Sequence, residues 1–126
     1  MPPGLVLFEP DRPHNFGAAL RLAACLGIEL HVIEPCGFPL HDRRIRQAAL
    51  DYVQLLTWRR HPDFASIAAE AGRAGRRFVL LTTHAALPYH GETYRAGDLL
   101  VLGRESGGVP GWLHEAAHRC VRIPTT

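Results

Sequence analysis

The sequence predicts an α/β fold in which a parallel sheet is covered by helices on both faces. Short apolar runs, which are typical of buried strands, alternate along the 126 residues with longer segments of helical character. Glycine and proline residues lie between these segments, where they favour turns. Because strands alternate with helices, we expect the strands to lie parallel and ligands to bind at their carboxyl ends.

The first strand is followed by a proline-containing loop and an apolar helix that ends before Gly27, since glycine is favoured just beyond a helix C-terminus. Asn15 lies where a helix N-cap or a ligand contact is expected. Arg21 falls inside the apolar helix, either at its solvent margin or in a functional role. The predicted strands cover residues 4–9, 29–33, 52–56, 77–82, 99–102 and 120–123. The predicted helices cover residues 16–26, 42–50, 62–74 and 109–118, with a loop at 84–97.

A glycine-rich loop after the fifth predicted strand is the main candidate for a ligand site. An apolar run at residues 99–102 leads into Gly103, and the loop then contains Glu105, Gly107 and Gly108 before Pro110. Glycine lets the backbone approach a ligand closely, and proline is tolerated in the first turn of a helix. The loop is therefore either a ligand site at the sheet edge or a plain turn.

Composition predicts a single domain over residues 1–126. The hydrophobic fraction of 47% and charged fraction of 21% are ordinary for a globular protein. No segment resembles a membrane span or a signal peptide, and three cysteines without metal-binding spacing indicate reduced thiols, so we expect a cytoplasmic protein.

A basic segment is the main candidate for contact with nucleic acid. Arg43, Arg44 and Arg46 lie in one predicted helix, with two further arginines at 59–60. Such a cluster either neutralises phosphates or forms a solvated helix face, and the net charge of +2 does not decide between them.

A competing motif is His114-Glu115-Ala-Ala-His118, which matches the zinc-protease pattern H-E-x-x-H. On a helix, the two histidines would share a face and chelate zinc, with Glu115 as the base. A catalytic zinc needs a third protein ligand, for which only an upstream residue such as His84 or His90 is available. An exposed polar helix face is the simpler interpretation.

Several segments in the same order resemble the SpoU (TrmH-like) branch of the SPOUT RNA methyltransferases, and within it the small TrmL-type enzymes. The segments are Leu7-Phe8-Glu9-Pro10 with Asn15-Phe16-Gly17 and Arg21, then His31 to Phe38, Arg43 to Tyr52, Leu80 to Thr83, Gly103 to Pro110, and Arg122-Ile123-Pro124. The resemblance covers the whole chain. It implies a Rossmann-like parallel-sheet SPOUT fold, which is an α/β knot in the family.

The chain departs from the family pattern at two places. Ala18 stands where the first motif usually has a second asparagine. The sequence ends at Thr126, before the family's Ser-(x)-Asn loop and C-terminal helix. We therefore expect a domain truncated before its third motif, with an incomplete knot and a weakened dimer.

The resemblance implies an enzyme that transfers a methyl group from S-adenosylmethionine to the ribose 2′-hydroxyl of the wobble cytidine or uridine of tRNA, acting as a homodimer. It assigns catalytic roles to Arg21, Asn15 and Glu105. Its cofactor-binding positions are Thr82, Thr83, Gly103, Glu105, Gly107, Gly108 and Ile123. It assigns RNA binding to Arg43, Arg44 and Arg46, and no metal. Two alternatives stay open: a catalytically incomplete RNA-binding remnant, and a zinc hydrolase that uses His114, Glu115 and His118.

Overall fold

The computed structural model describes residues 1–38, 58–104 and 106–123. The strands in these ranges are β1 (Gly4–Phe8), β2 (Glu29–Ile33), β3 (Trp58–His61), β4 (Phe78–Thr82), β5 (Leu99–Leu102) and β6 (Arg119–Arg122). The α-helices are α1 (Pro13–Leu26), α2 (Phe64–Ala74) and α3 (Gly111–Ala116), and a 3₁₀ turn covers Tyr89–Gly91. The predicted helix at 42–50 and strand at 52–56 lie outside the described residues.

The six strands form one parallel sheet in the order β3-β2-β1-β5-β4-β6. The registers pair Phe8 with Ile33 and Leu7 with Leu102, so the carboxyl ends of all strands lie at one edge. Strands β2 and β3 lie on one side of β1, and β5, β4 and β6 lie on the other. The boundary between β1 and β5 is therefore a topological switch point, where open α/β sheets bind ligands.

The predicted parallel sheet with helices on both faces is confirmed. On one face, Phe16, Leu20 and Ala23 of α1 pack on Leu30 and Val32 of the sheet. On the other face, α2 and α3 cover an apolar cluster. That cluster includes Val6, Phe8, Ile33, Ile67, Phe78, Leu80, Leu99, Val101 and Leu113. Burial on both faces explains why the inner strands β1, β4 and β5 read as nearly continuous apolar runs. No helix of the described ranges is long and apolar enough to cross a membrane.

Helix boundaries differ from the prediction by two or three residues. Helix α1 begins at Pro13 rather than residue 16, because proline is well suited to the first helical position. The N-cap is Arg12, so Asn15 does not cap the helix, and its other interpretation, a ligand contact, stays a prediction. Helix α3 ends at Ala116, although the sequence predicted helix to residue 118. The other predicted elements in the described ranges agree with the structure within two residues.

The sequence prediction has no strand at Trp58–His61, where the structure has β3, and the predicted strand at 52–56 lies outside the described residues. The segment Trp58–His61 contains three basic or titratable residues, of which Arg59 and Arg60 are exposed. Two exposed side chains of the strand have partners elsewhere in the fold: Arg59 forms an ion pair with Glu70, and Nε of Arg60 donates to Glu34 Oε1 at 2.7 Å. These contacts are long-range and leave no local pattern.

Helix α2 has a side-chain cap whose removal is expected to cost about 1 kcal/mol. Asp63 Oδ1 accepts a hydrogen bond from the Ser66 backbone N–H at 2.9 Å. Asp63→Ala would leave that amide without its partner and lower the free energy of unfolding by this amount. Urea titration monitored by circular dichroism measures the change, and an unchanged midpoint would contradict the role of the cap.

A buried histidine pair joins β2 to β3. His31 is 4% exposed and His61 is 2% exposed, and His31 Nδ1 shares a hydrogen bond of 2.9 Å with His61 Nε2. Burial lowers the pKa of both imidazoles below the ordinary 6.5, and for His31 it outweighs the Glu29 carboxylate 3.6 Å from Nε2. Both rings are therefore neutral in the folded protein at neutral pH.

This pair predicts a loss of stability in mild acid. Below pH 6.5 the unfolded chain takes up protons that the folded state rejects, so the contribution is fully present above pH 6.5 and is lost as the pH falls towards the lowered pKa values. We expect a lower melting temperature at pH 5.5 than at pH 7.5. The His61→Gln variant should show a smaller difference between the two pH values, and an equal difference would contradict the assignment.

Candidate active site

A cavity of about 530 Å³ opens at the carboxyl ends of β5, β4 and β6, on one side of the switch point. Six of the predicted cofactor-binding residues line it, although they come from three separate segments of the chain. They are Thr82, Thr83, Gly103, Gly107, Gly108 and Ile123. The cavity has the size of a typical small-molecule site.

The glycine-rich loop after β5 forms one wall and is closed by its own backbone. The Arg104 N–H donates to the Gly108 carbonyl at 2.9 Å, and the Gly108 N–H donates to the Arg104 carbonyl at 2.8 Å. Gly108 has φ +66°, which a residue with a side chain rarely adopts. A Cβ on Gly103 would lie 2.7 Å from the carbonyl carbon of Gly108. Glycine is therefore required at both ends of the loop.

The opposite wall is built by the ends of β4 and β6. Thr82 is buried, its carbonyl accepts from the Ile123 N–H at 3.1 Å, and its Oγ1 accepts from the His84 N–H at 3.2 Å. The rings of His84 and His114 lie 6.4 Å apart, centroid to centroid, and both residues line the cavity. This contact joins the loop after β4 to helix α3.

Arg104 lies at the switch point between the first and fifth strands. Its Nη1 is 3.6 Å from Glu9 Oε1, and its Cζ lies 5.7 Å from the centre of the Phe8 ring. A second bond across the same boundary joins the Ser106 hydroxyl to the Asp11 carboxylate. The loop is thus anchored to the segment that follows β1.

Comparison with known proteins places the chain in a family. The model of the SpoU rRNA Methylase family matches residues 3–126, which is almost the whole sequence. The chain belongs to the SpoU methylase family.

Named relatives of this SpoU methylase chain share both sequence and fold. It is 48% identical over 120 residues to the tRNA (cytidine(34)-2'-O)-methyltransferase of Beijerinckia indica, covering 95% of this chain and 75% of the relative. It is 39% identical over 122 residues to the enzyme of that name from Escherichia coli K12, with 95% and 76% covered. A solved structure on the 2-OH methylation of C/U34 on tRNA superposes with a TM-score of 0.92 at 33% identity, covering 98% of this chain and 80% of that one.

A more distant structure shows the same fold at larger size. The AdoMet-bound rRNA methyltransferase from Sinorhizobium meliloti superposes with a TM-score of 0.88 at 20% identity, and the match covers 99% of this chain and 48% of that one. The parallel sheet is therefore the fold of SPOUT methyltransferases, as the sequence predicted.

Two of the three predicted catalytic residues of this SpoU methylase chain, Asn15 and Arg21, do not line the cavity. Both are exposed on α1. Glu105 and the predicted RNA-binding residues Arg43, Arg44 and Arg46 lie outside the described residues. The nearby Arg59 and Arg60 are paired with Glu70 and Glu34, so their charge is partly neutralised.

The zinc alternative is wrong because the two histidines do not share a helix face. Helix α3 ends at Ala116, and His118 Nδ1 accepts a hydrogen bond from the Phe78 N–H at 2.9 Å, whereas His114 lines the cavity. Over the part of the chain that the structure describes, no group of three histidine, cysteine or carboxylate side chains is placed to hold a metal.

Arg104 and His114 line the candidate site but were not assigned to it from the sequence. Arg104 was not singled out because a charged side chain in a loop has no distinctive spacing, and His114 was considered only as a zinc ligand. His84 was considered as a zinc ligand and, at the end of a strand, as a residue that either lines a pocket or caps the strand. The position of Arg104 inside the glycine-rich loop was the one available signal.

Proposed function

We propose that this chain is an S-adenosylmethionine-dependent methyltransferase acting on the ribose 2′-hydroxyl of the wobble cytidine or uridine of tRNA. The observation that carries the proposal is the cavity at the β4, β5 and β6 edge, where six positions assigned to the cofactor by the family motifs come together. Relatives at up to 48% identity bear the name of this activity.

The residues of this cavity fit the proposed cofactor. Gly107 and Gly108 are exposed and line the cavity, so their backbone groups can contact a ligand without a side chain in the way. Thr82, Thr83 and Ile123 would hold the cofactor from the opposite wall, and Glu105 would organise the loop. When bound, S-adenosylmethionine supplies a methyl group on a sulfonium, which is open to in-line displacement.

Arg21 would act on the ribose. A guanidinium stays protonated at neutral pH and is therefore a poor base. Its fixed charge instead suits a clamp on the phosphate of the target nucleotide, and it would stabilise negative charge developing on the 2′-oxygen. Asn15 would orient the ribose or the arginine.

Arg21 would reach the site through a homodimer. Two large apolar side chains, Leu22 (55% exposed) and Leu26 (62% exposed), lie four residues apart on α1 beside Arg21. Residues at this spacing share a helix face, so a second copy would bury them. We propose that this contact brings Arg21 of one copy to the cavity of the other.

The remaining assignments follow from the same activity. Arg43, Arg44 and Arg46 would bind phosphates of the anticodon arm, and binding would therefore weaken with salt. The enzyme would act in the cytoplasm, where its tRNA substrate is found.

The experiment that tests the function measures cofactor binding and methyl transfer with the same preparation. Calorimetry with S-adenosylmethionine and S-adenosylhomocysteine should give micromolar affinity. Incubation with tRNA should yield a 2′-O-methylated nucleoside at position 34, detected by mass spectrometry after digestion. Binding of tRNA with neither cofactor binding nor methylation would identify an RNA-binding protein instead and overturn the proposal.

A further inference from the structure

A second cavity of about 390 Å³ lies at the same sheet edge, on the other side of the switch point. Its floor follows the ends of β1, β2 and β3, and its walls come from the starts of α2 and α3. The side chains that line it include three aromatic rings and three carboxylates. They are Phe8, Phe64, Trp112, Glu9, Glu34 and Asp63. We name it the aromatic cavity.

Trp112 is held in place but not buried. Its ring packs edge-on against Phe8 at 5.9 Å and 76°, and against Phe64 at 5.7 Å and 60°. Nevertheless, 51% of the residue is exposed. Because two edge-to-face contacts already fix the orientation of the indole, little side-chain entropy is lost when a ligand binds to it. An oriented, half-exposed indole is a ready surface on which an RNA base can stack.

The polar side chains of the aromatic cavity are all hydrogen-bond acceptors. Glu34 Oε1 accepts from Arg60, Glu9 Oε1 faces Arg104, and Asp63 Oδ1 caps α2. Carboxylates accept from the exocyclic amine of cytosine, whereas the O4 acceptor of uracil would face them unfavourably. The cavity thus suits a base that carries an amino group.

The aromatic cavity adjoins the proposed cofactor cavity. Arg104 lines the cofactor cavity, and its guanidinium lies over the Phe8 ring, which lines the aromatic cavity. Arg104 therefore lies beside both cavities. A nucleotide whose ribose lies at the cofactor cavity would extend its base towards Trp112.

We infer that the aromatic cavity binds the base of the methylated nucleotide, stacks it on Trp112 and favours cytosine over uracil through Glu34. This inference rests on the proposed function and assigns its base specificity. It predicts that loss of the indole lowers kcat/KM for methylation of the RNA and leaves the affinity for the cofactor unchanged.

The first test is kinetic and uses an anticodon stem-loop RNA with cytidine at the wobble position. Trp112→Ala should lower kcat/KM by about 5- to 150-fold, the range expected for loss of one base–aromatic stack. Trp112→Phe, which keeps an aromatic ring, should stay within about threefold of the parent. Tyr89→Ala removes another exposed aromatic side chain, 45% exposed, and should change nothing. Calorimetry with S-adenosylhomocysteine and a melting curve should show that Trp112→Ala stays folded and binds cofactor.

The second test detects the contact itself. The sequence contains two tryptophans, so Trp58→Phe leaves Trp112 as the sole source of indole fluorescence. Adding the stem-loop should quench this emission and shield it from acrylamide. RNA that binds by gel shift without changing Trp112 fluorescence or its acrylamide quenching would overturn the inference.

Base preference provides the third test. The parent should use the cytidine stem-loop more efficiently than the uridine one, and Glu34→Gln should shrink this ratio. An unchanged ratio would overturn the role of Glu34. Failure of the parent to methylate either RNA would instead contradict the proposed function, so the two failures are distinguishable.

Discussion

Replacing Arg21 with alanine is expected to abolish methyl transfer to tRNA, with a loss of at least about 10²–10³-fold in rate, which is typical of removing a charge that stabilises a developing anion. Cofactor affinity should stay nearly unchanged, because Arg21 is exposed on α1 and does not line the cavity of its own copy. Single-turnover methylation of tRNA measures the rate, and calorimetry with S-adenosylhomocysteine measures the affinity.

A matched variant separates this role from a general effect of positive charge. Arg73 is another exposed arginine on a helix, in the last turn of α2, and it lines neither cavity. Arg73→Ala should methylate tRNA at close to the parental rate. If Arg21→Ala did the same, the assignment of Arg21 to the reaction would be wrong.

Adding one methyl group at Gly103 is expected to weaken cofactor binding by about 5- to 150-fold. The new Cβ would lie 2.7 Å from the carbonyl carbon and 2.8 Å from the Cα of Gly108. Because these are backbone atoms, they cannot rotate aside, and the loop must open. Overpacking of this kind costs about 1–3 kcal/mol. If this cost falls on the cofactor-bound loop, it raises the Kd by about 5- to 150-fold. Calorimetry with S-adenosylhomocysteine gives the Kd.

The control for this substitution is Gly72→Ala in α2, where a Cβ has no heavy atom within 4 Å. Alanine lowers the conformational entropy of the unfolded chain and has a higher helix propensity than glycine. The free energy of unfolding of this variant should therefore rise by about 0.4–1 kcal/mol. Its cofactor affinity should equal that of the parent. If Gly103→Ala bound the cofactor as tightly as the parent, cofactor binding would not depend on the backbone hydrogen bonds that close the loop.

Much of the fold was predictable because its evidence is local. The apolar run Leu99–Leu102 followed by glycines indicated both β5 and the loop, and Gly27 marked a helix end that the structure confirms. In contrast, β3 depends on pairing with β2 and on the bond between His31 and His61. Such contacts between distant segments leave no periodic pattern in the sequence.

The candidate site divides in the same way. The family motifs indicated Thr82, Gly103 and Ile123, and the parallel registers explain why these residues meet at one edge. The aromatic cavity was not predictable, because Phe8, Phe64 and Trp112 come from three segments and each is an ordinary apolar residue in its own context. Only the packed structure brings the three rings together.

The sheet order also has a consequence for how the chain folds. Strand β5 lies between β1 and β4, and Gly4 pairs with Leu99 across most of the sequence. Until β5 has been synthesised, the first three strands and β4 have no shared partner, so a nascent chain on the ribosome holds two unjoined parts of the sheet. Pairing over such sequence distances slows folding. The enzyme is therefore expected to complete its core, and with it both cavities, only after β5 has been synthesised.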